Sequence, residues 1–357
     1  MSRFASLALL TLVPATLMAQ ASTYTLSGNS VAVYNLVGEA TIQGGTGSSV
    51  TVQVTAVGSD AGKLKIENEE IRGRPTLMVV YPDDRIVYRA MGRGSNSRFS
   101  VRDDGTWGSS GNDDDDRGRD RDWKRGKGRQ ITVRGDGDGL EAAANLKITI
   151  PAGKRVAVYV GVGRVDVSNV DGDLLVDAAS ADIATHGTRG SLHLDTGSGN
   201  LRIERAEGTA RLDTGSGDVQ ITGFRNGGLN IDTGSGTVKA SGIESSDLEI
   251  DTGSGDIILD DVTATRLNLD TGSGSVRATL RTSPSDVSVE TGSGDVTLRL
   301  PDPVDATVDL ETGSGDLTID FPLQLIKKSE GNIRGRIGAG KGRISIETGS
   351  GDISLTK

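Results

Sequence analysis

One five-residue phrase, Asp/Glu-Thr-Gly-Ser-Gly, constrains this chain more than any other feature. It begins at Asp195, Asp213, Asp232, Asp251, Asp270, Glu290, Glu311 and Glu347. The first seven starts lie 18, 19, 19, 19, 20 and 21 residues apart, and the last follows after 36. Self-similarity at a near-constant period of this length marks a solenoid, in which each repeat is one supersecondary unit stacked on the next. Taking the acid as position zero, four columns are apolar in every copy. They run from Leu192 to Ile344 at −3, from Leu194 to Ile346 at −1, from Leu201 to Ile353 at +6 and from Ile203 to Leu355 at +8. Polar residues mostly flank them, which is the period-two signature of strands.

Each coil therefore has two short strands with alternate side chains facing inward, joined by Thr-Gly-Ser-Gly at a corner. One coil cannot close a core, but stacking sets like on like and builds continuous apolar ladders. Every coil repeats the same path, so strands in successive coils run parallel. The worn turns after Tyr159 and Asp177 extend the register upstream and give ten coils from Tyr159 onward. At one strand spacing per coil the rod is about 45 Å long. Position +11 (Ala206, Phe224, Ile243, Val262) suggests a third side. The glycines at +2 and +4 are expected to adopt positive φ at a sharp corner and to keep stacked corners thin. The fold expected is all-β, a parallel β-solenoid of about 18–21 residues per coil, right-handed, with no helical domain. The coil ending at Leu355 has no visible cap, and an open edge pairs with other chains. End-to-end self-association is the expectation that follows.

Upstream, residues 1–21 read as a secretory signal. Arg3 opens it, Phe4 to Met18 form an apolar stretch broken by Pro14, and Ala19-Gln20-Ala21 fits the cleavage rule. That signal leads to the expectation of export to the periplasm or the cell surface or exterior. Since no other apolar stretch is long enough to span a membrane, the mature protein is expected to be soluble or peripherally attached. Residues 22–91 read as an irregular β segment. In it the stretch from Ile42 to Val54 looks like a degenerate copy of the repeat. Residues 92–129 are rich in Gly, Ser, Asp and Arg, include Asp113 to Asp116 and hold both tryptophans, Trp107 and Trp123. Their low apolar content predicts a disordered charged loop inserted between strands. Residues 130–357 form the repeat domain, continuous with the N-terminal segment.

Composition narrows the function classes. The net charge of −10 and pI near 4.9 speak against a general nucleic-acid binder. With no cysteine, the chain has neither a disulfide framework nor a lipid-anchoring thiol. Asp-Thr-Gly-Ser resembles the aspartic-protease signature, but that chemistry needs two carboxylates facing each other and sharing a proton. Here the acids are predicted to stand in single file along an outer edge. A calcium reading fits better, because acids at zero and at +5 flank the corner as two columns. Its candidates are Asp213, Asp218, Asp251, Asp256 and Asp316, although Asn200, Thr237 and Ser275 interrupt the +5 column. The histidines, His186 and His193, read as ordinary outward residues, and no nucleophile elbow or phosphate loop is present. A β-helix enzyme on envelope polysaccharide would need a local cluster of basic groups, and none stands out. Catalytic residues and cofactors are therefore assigned as none.

The export signal, the segment Leu146-Lys-Ile-Thr-Ile-Pro-Ala-Gly153, the repeated Asp-Thr-Gly-Ser-Gly-Asp-Val and the stretch Ile337 to Ile353 together resemble the bacterial "putative adhesin" β-strand-repeat family. That is a domain of unknown function in exported proteins. The resemblance spans most of the mature chain. It implies a parallel β-solenoid and lends no catalytic residues. The function expected is a non-enzymatic exported solenoid, an adhesin or envelope scaffold presenting a repetitive acidic face. Its partner would be a cell-envelope or surface component.

Overall fold

The computed structural model describes residues 21–107 and 128–357. The signal reading at residues 1–21 lies outside these, apart from Ala21, which begins the first strand. Alternating Val, Ile and Leu against Ser, Thr and Asp produce strand throughout. The N-terminal part holds β1 (Ala21–Leu26), β2 (Ser30–Gly45), β3 (Val50–Val57), β4 (Lys65–Ile71), β5 (Arg74–Val80), β6 (Arg85–Val87), β7 (Asn96–Val101), β8 (Arg129–Arg134) and β9 (Ala143–Pro151). The repeats begin with β10 (Lys154–Ser168), β11 (Asp171–His186), β12 (Arg189–Thr196), β13 (Leu201–Thr214), β14 (Val219–Thr233), β15 (Val238–Thr252) and β16 (Ile257–Thr271). Shorter strands follow: β17 (Val276–Leu280), β18 (Asp286–Thr291), β19 (Val296–Arg299), β20 (Ala306–Thr312), β21 (Leu317–Ile319), β22 (Gln324–Ser329), β23 (Asn332–Ile337), β24 (Gly342–Thr348) and β25 (Ile353–Thr356).

The fold is the parallel β-solenoid that the repeat predicts. From β10 to β16 each coil pairs in parallel with the next, acid on acid: Asp177 with Asp195, Asp195 with Asp213, Asp213 with Asp232, and on to Asp270 with Glu290. The four apolar columns are buried except at Leu317 and Ile319, and so is +11 at Ala206, Phe224, Ile243 and Val262. Burying one such side chain contributes about 1.5–3 kcal/mol, so the ladders are the main stabilising term. Growth of the period from 18 to 19 residues is absorbed by a register shift at Glu207/Ala210, and growth from 19 to 20 falls between β17 and β18, since Leu259 pairs with Ala278 and Arg266 with Asp286.

Four features differ from the sequence expectation. First, the stacking order departs from chain order at one end. β18 pairs with β24, joining Glu290 to Glu347, and β24 pairs with β20, joining Glu347 to Glu311. The coil ending at Leu355 thus lies between its two predecessors and is not an open edge. The long final interval holds the β22–β23 hairpin, whose β23 covers β20 antiparallel. The Glu311 coil is therefore outermost, and its Leu317 and Ile319 are only half-buried.

Second, the phrase glycines do not take positive φ; none of Gly197, Gly199, Gly215, Gly217, Gly234 and Gly236 does. Space is what requires them. A Cβ on Gly217 would lie 1.8 Å from the carbonyl oxygen of Gly199, and one on Gly215 would lie 2.4 Å from that of Gly197. Left-handed backbone sits instead at +10, the second corner: Asn169, Gly187, Arg205, Gly223, Gly242 and Asp261 have φ between 52° and 78°.

Third, the degenerate copy is β2, shifted upstream of the expected Ile42–Val54. Tyr34 aligns with Tyr159 and Ile42 with Val167. The chain then reverses: β3 runs antiparallel to β9 and to β1, and β4 antiparallel to β5. β5 and β9 lie parallel on the two halves of β2 and close that end of the stack.

Fourth, the predicted disordered loop at 92–129 is ordered at its described ends. β7 and β8, with β6, form a small second sheet. Phe99, Ile131, Val133 and Trp107 are buried in or beneath it. These few apolar residues suffice because they dock on a surface the solenoid already provides. The stretch 108–127, with Asp113 to Asp116 and Trp123, lies outside the described residues.

Candidate functional site: the carboxylate column and its aromatic end

The phrase resolves into a hydrogen-bonding unit. Its threonine points inward and is buried in every copy. Thr214 Oγ1 donates to the carbonyl of Gly199 (2.9 Å) and accepts from the N–H of Gly217 (3.1 Å). Thr233, Thr252, Thr271 and Thr291 repeat both bonds one coil on. One hydroxyl thus closes its own corner and ties it to the preceding one. The backbone adds another rung, with the N–H of Gly215 donating to the carbonyl of Thr196 at 3.1 Å. A buried polar group is costly unless paired, and here both of its hydrogen-bonding roles are satisfied. In β2 the same position holds Asn35. It donates to the carbonyl of Ala144 at 2.7 Å, and its Oδ1 meets the hydroxyl of Tyr81 at 2.9 Å.

The acids at +5 are also structural. Asp182 Oδ1 accepts the N–H of Asn200, Asn200 Oδ1 that of Asp218, and Asp218 Oδ1 that of Thr237, all within 2.8–2.9 Å. Asp256 does the same for Ser275, Asp295 for Asp352, and Asp352 for Asp316. Each carboxylate or amide in this ladder satisfies a backbone donor in the adjoining coil.

The acids at zero form one file along the first-strand face. Asp232, Asp251, Asp270, Glu290, Glu347 and Glu311 are exposed, Asp195 and Asp213 are half-buried, and Asp177 is buried. Burial, and then the neighbouring Asp213 carboxylate, push the Asp195 carboxyl up to about 6. Asp213 and Asp251 are raised for the same reasons in the same order, burial first and an adjacent acid second. The file continues into aromatic rings. Tyr159 stacks on Tyr34 with centroids 4.2 Å apart and planes 3° from parallel. Trp107 meets both edge-on at 6.2 and 6.4 Å, and Phe99 meets Trp107 at 5.3 Å. The second sheet thereby covers one end of the column and leaves the rest open. Beside it, Glu39, Tyr88, Met91, Arg164 and Ser180 line a shallow open cleft.

The calcium candidates are not gathered into one cluster. Asp213 and Asp251 stand in the zero file. Asp218 and Asp256 stand in the +5 ladder, with one carboxylate oxygen each already accepting a backbone N–H. Asp316 lies on the outermost coil. Among the described residues no group of three or more His, Cys, Asp or Glu side chains is placed to hold a metal ion. His186 lies on the second strand, 3.3 Å from the Glu204 carboxylate, and His193 is half-buried at −2. The aromatic end was not legible in the sequence, since Tyr34, Phe99, Trp107 and Tyr159 are distant in the chain. The alignment of Tyr159 with position zero was the only available signal.

Parallel coils, one corner phrase and a single file of acids define a repeat solenoid. Residues 122–356 match the Toastrack DUF4097 family, and the chain belongs to it. A crystal structure of a "putative cell adhesion protein" from Clostridium sporogenes is also similar. It shares 12% identity over 94% of this chain and 98% of its own, with a TM-score of 0.22. No curated protein matches. Among the described residues, no helix is long and apolar enough to cross a membrane.

Proposed function

We propose that this protein is an exported, non-enzymatic solenoid that presents its carboxylate file to a component of the cell envelope or surface, as an adhesin or scaffold. The observation that supports this most is the uniformity of the repeat. The threonines and glycines of every copy, with the ladder at +5, hold the stack together, and the zero position is left as a periodic outward surface. Recognition by such a surface is multivalent, with modest contributions from each coil adding along the rod. Aspartyl chemistry would require facing carboxylates, whereas these stand side by side.

The test is fractionation of producing cells, followed by binding of the purified protein to isolated envelope material with and without calcium. Support would be a cleaved leader, recovery outside the cytoplasm and saturable binding that weakens when Asp232, Asp251 and Asp270 become asparagine. Retention in the cytoplasm, or turnover of envelope polysaccharide by the protein, would contradict the reading.

A further inference from the structure

The two ends of the first-strand sheet differ in charge. At one end the order is β20, β23, β22, and at the other β2, β5, β4. Both outermost strands thus belong to the same sheet of the rod. Among the described residues β4 pairs only with β5, and β22 only with β23. β22 (Gln-Leu-Ile-Lys-Lys-Ser) is exposed along its whole length, with Leu325 and Ile326 at 57% and 60% exposure. No other large apolar side chain among the described residues is so exposed. Its charged residues are Lys327 and Lys328. β4 (Lys-Ile-Glu-Asn-Glu-Glu-Ile) carries Glu67, Glu69 and Glu70 against one lysine, with Ile66 and Ile71 half-buried.

We propose that β22 of one copy pairs with β4 of a second copy, so that the rods join head to tail through a continuous sheet. Directions agree. β22 runs with the coils, because it is antiparallel to β23, which is antiparallel to β20. β4 runs against them, because it is antiparallel to β5, which is parallel to β2. In a head-to-tail array the two meet as an antiparallel pair, the more stable of the two pairings. Their lengths match, at six and seven residues. Charge selects the partner. Lysines on an edge strand discourage pairing with a like edge. Two β22 strands set lysine against lysine and two β4 strands set glutamate against glutamate, whereas β22 on β4 sets opposite charges side by side. Opposite charges across a strand pair favour it. The contact is heterologous, so it propagates along the rod and does not close at a dimer.

Sedimentation velocity on the full-length protein tests this over a hundredfold concentration range. The weight-average mass is expected to at least double towards the top of that range, and to fall back as salt is raised to about 0.5 M. The variant Lys327→Glu/Lys328→Glu has two acidic ends, and Glu67→Lys/Glu69→Lys has two basic ends. Each alone should remain monomeric, while an equimolar mixture should associate, since acidic ends then meet basic ones. Melting curves matching the parent show that both variants fold. A parent that stays monomeric throughout would overturn the proposal. So would variants that associate as well as the parent, because the contact would then lie elsewhere. Neither result bears on envelope binding, which a single rod can perform.

Discussion

The hydroxyl of Thr348 donates to the carbonyl oxygen of Gly294 at 2.9 Å, across 54 residues of chain. Thr312 makes the corresponding bond to Gly351 at 2.9 Å. The bond that ties one corner to the next is therefore kept even where the coils stack out of sequence order. A unit that survives such a rearrangement specifies stacking by its own geometry.

That bond makes the threonine worth more than its size. Thr252→Val keeps the shape but leaves the carbonyl of Gly236 and the N–H of Gly255 without the hydroxyl that now meets both. Unpaired buried groups of this kind cost about 1–3 kcal/mol each. Chemical denaturation should show a loss of about 2–6 kcal/mol for Thr252→Val and a clearly smaller one for Thr252→Ser.

Two glycines about a third of a coil apart separate space from backbone strain. A Cβ on Gly236 would fall 1.8 Å from the carbonyl oxygen of Gly217, which is backbone and cannot step aside. Gly242 has φ 65° but its nearest heavy atoms would be 3.8 Å away. Gly242→Ala should cost about 1–2 kcal/mol, the price of a left-handed alanine. Gly236→Ala should cost more than about 3 kcal/mol, or prevent folding, by overpacking. Comparison of soluble yield and unfolding midpoint for the pair checks this.

Stability should rise on mild acidification. Asp195 titrates near 6 in the folded chain against an ordinary value of 3.8, so the folded state binds more protons between those values. The stabilising contribution of that extra proton is full below about pH 4 and is lost as pH rises through 6. After allowance for water around a half-exposed group the effect is about 1 kcal/mol. Asp195→Asn should remove this part of the pH dependence and raise the melting temperature at pH 7.5, measured by scanning calorimetry at several pH values.

The second sheet depends on one indole. Trp107 touches Phe99, Tyr34 and Tyr159, and Trp→Ala changes at such sites cost about 3–5 kcal/mol. Trp107→Ala should free the β6–β8 sheet from the solenoid while leaving the repeats folded. Limited proteolysis is expected to cut first between residues 85 and 134, with far-UV circular dichroism nearly unchanged.

Much of this architecture was legible because alternation and period are local properties. The columns at −3, −1, +6 and +8 and the third side at Phe224 and Ile243 all follow from counting along the chain. The +5 acids could be placed but not explained, because acceptance of a backbone N–H from the adjoining coil depends on a register of a few tenths of an ångström. At Gly217 and Gly236 the expected positive φ is absent and only the thinness of the stacked corner requires glycine, two reasons that sequence cannot tell apart. The aromatic end and the threaded last coil were hidden. Phe99, Trp107 and the β22–β23 hairpin act through contacts distant in sequence that leave no periodic trace.

The central claim is that the phrase builds one continuous file whose order is Glu290, Glu347, Glu311. Disulfide trapping reads that order directly, and the chain has no cysteine to interfere. Adjacent parallel strands lie about 4.8 Å apart, within disulfide reach, while strands two steps apart lie about 9.6 Å apart and beyond it. Under mild oxidation, Glu290→Cys/Glu347→Cys should form an intramolecular disulfide, and Glu290→Cys/Glu311→Cys should retain two free thiols by mass spectrometry. The reverse pattern would mean that the coils stack in chain order, and would contradict the account.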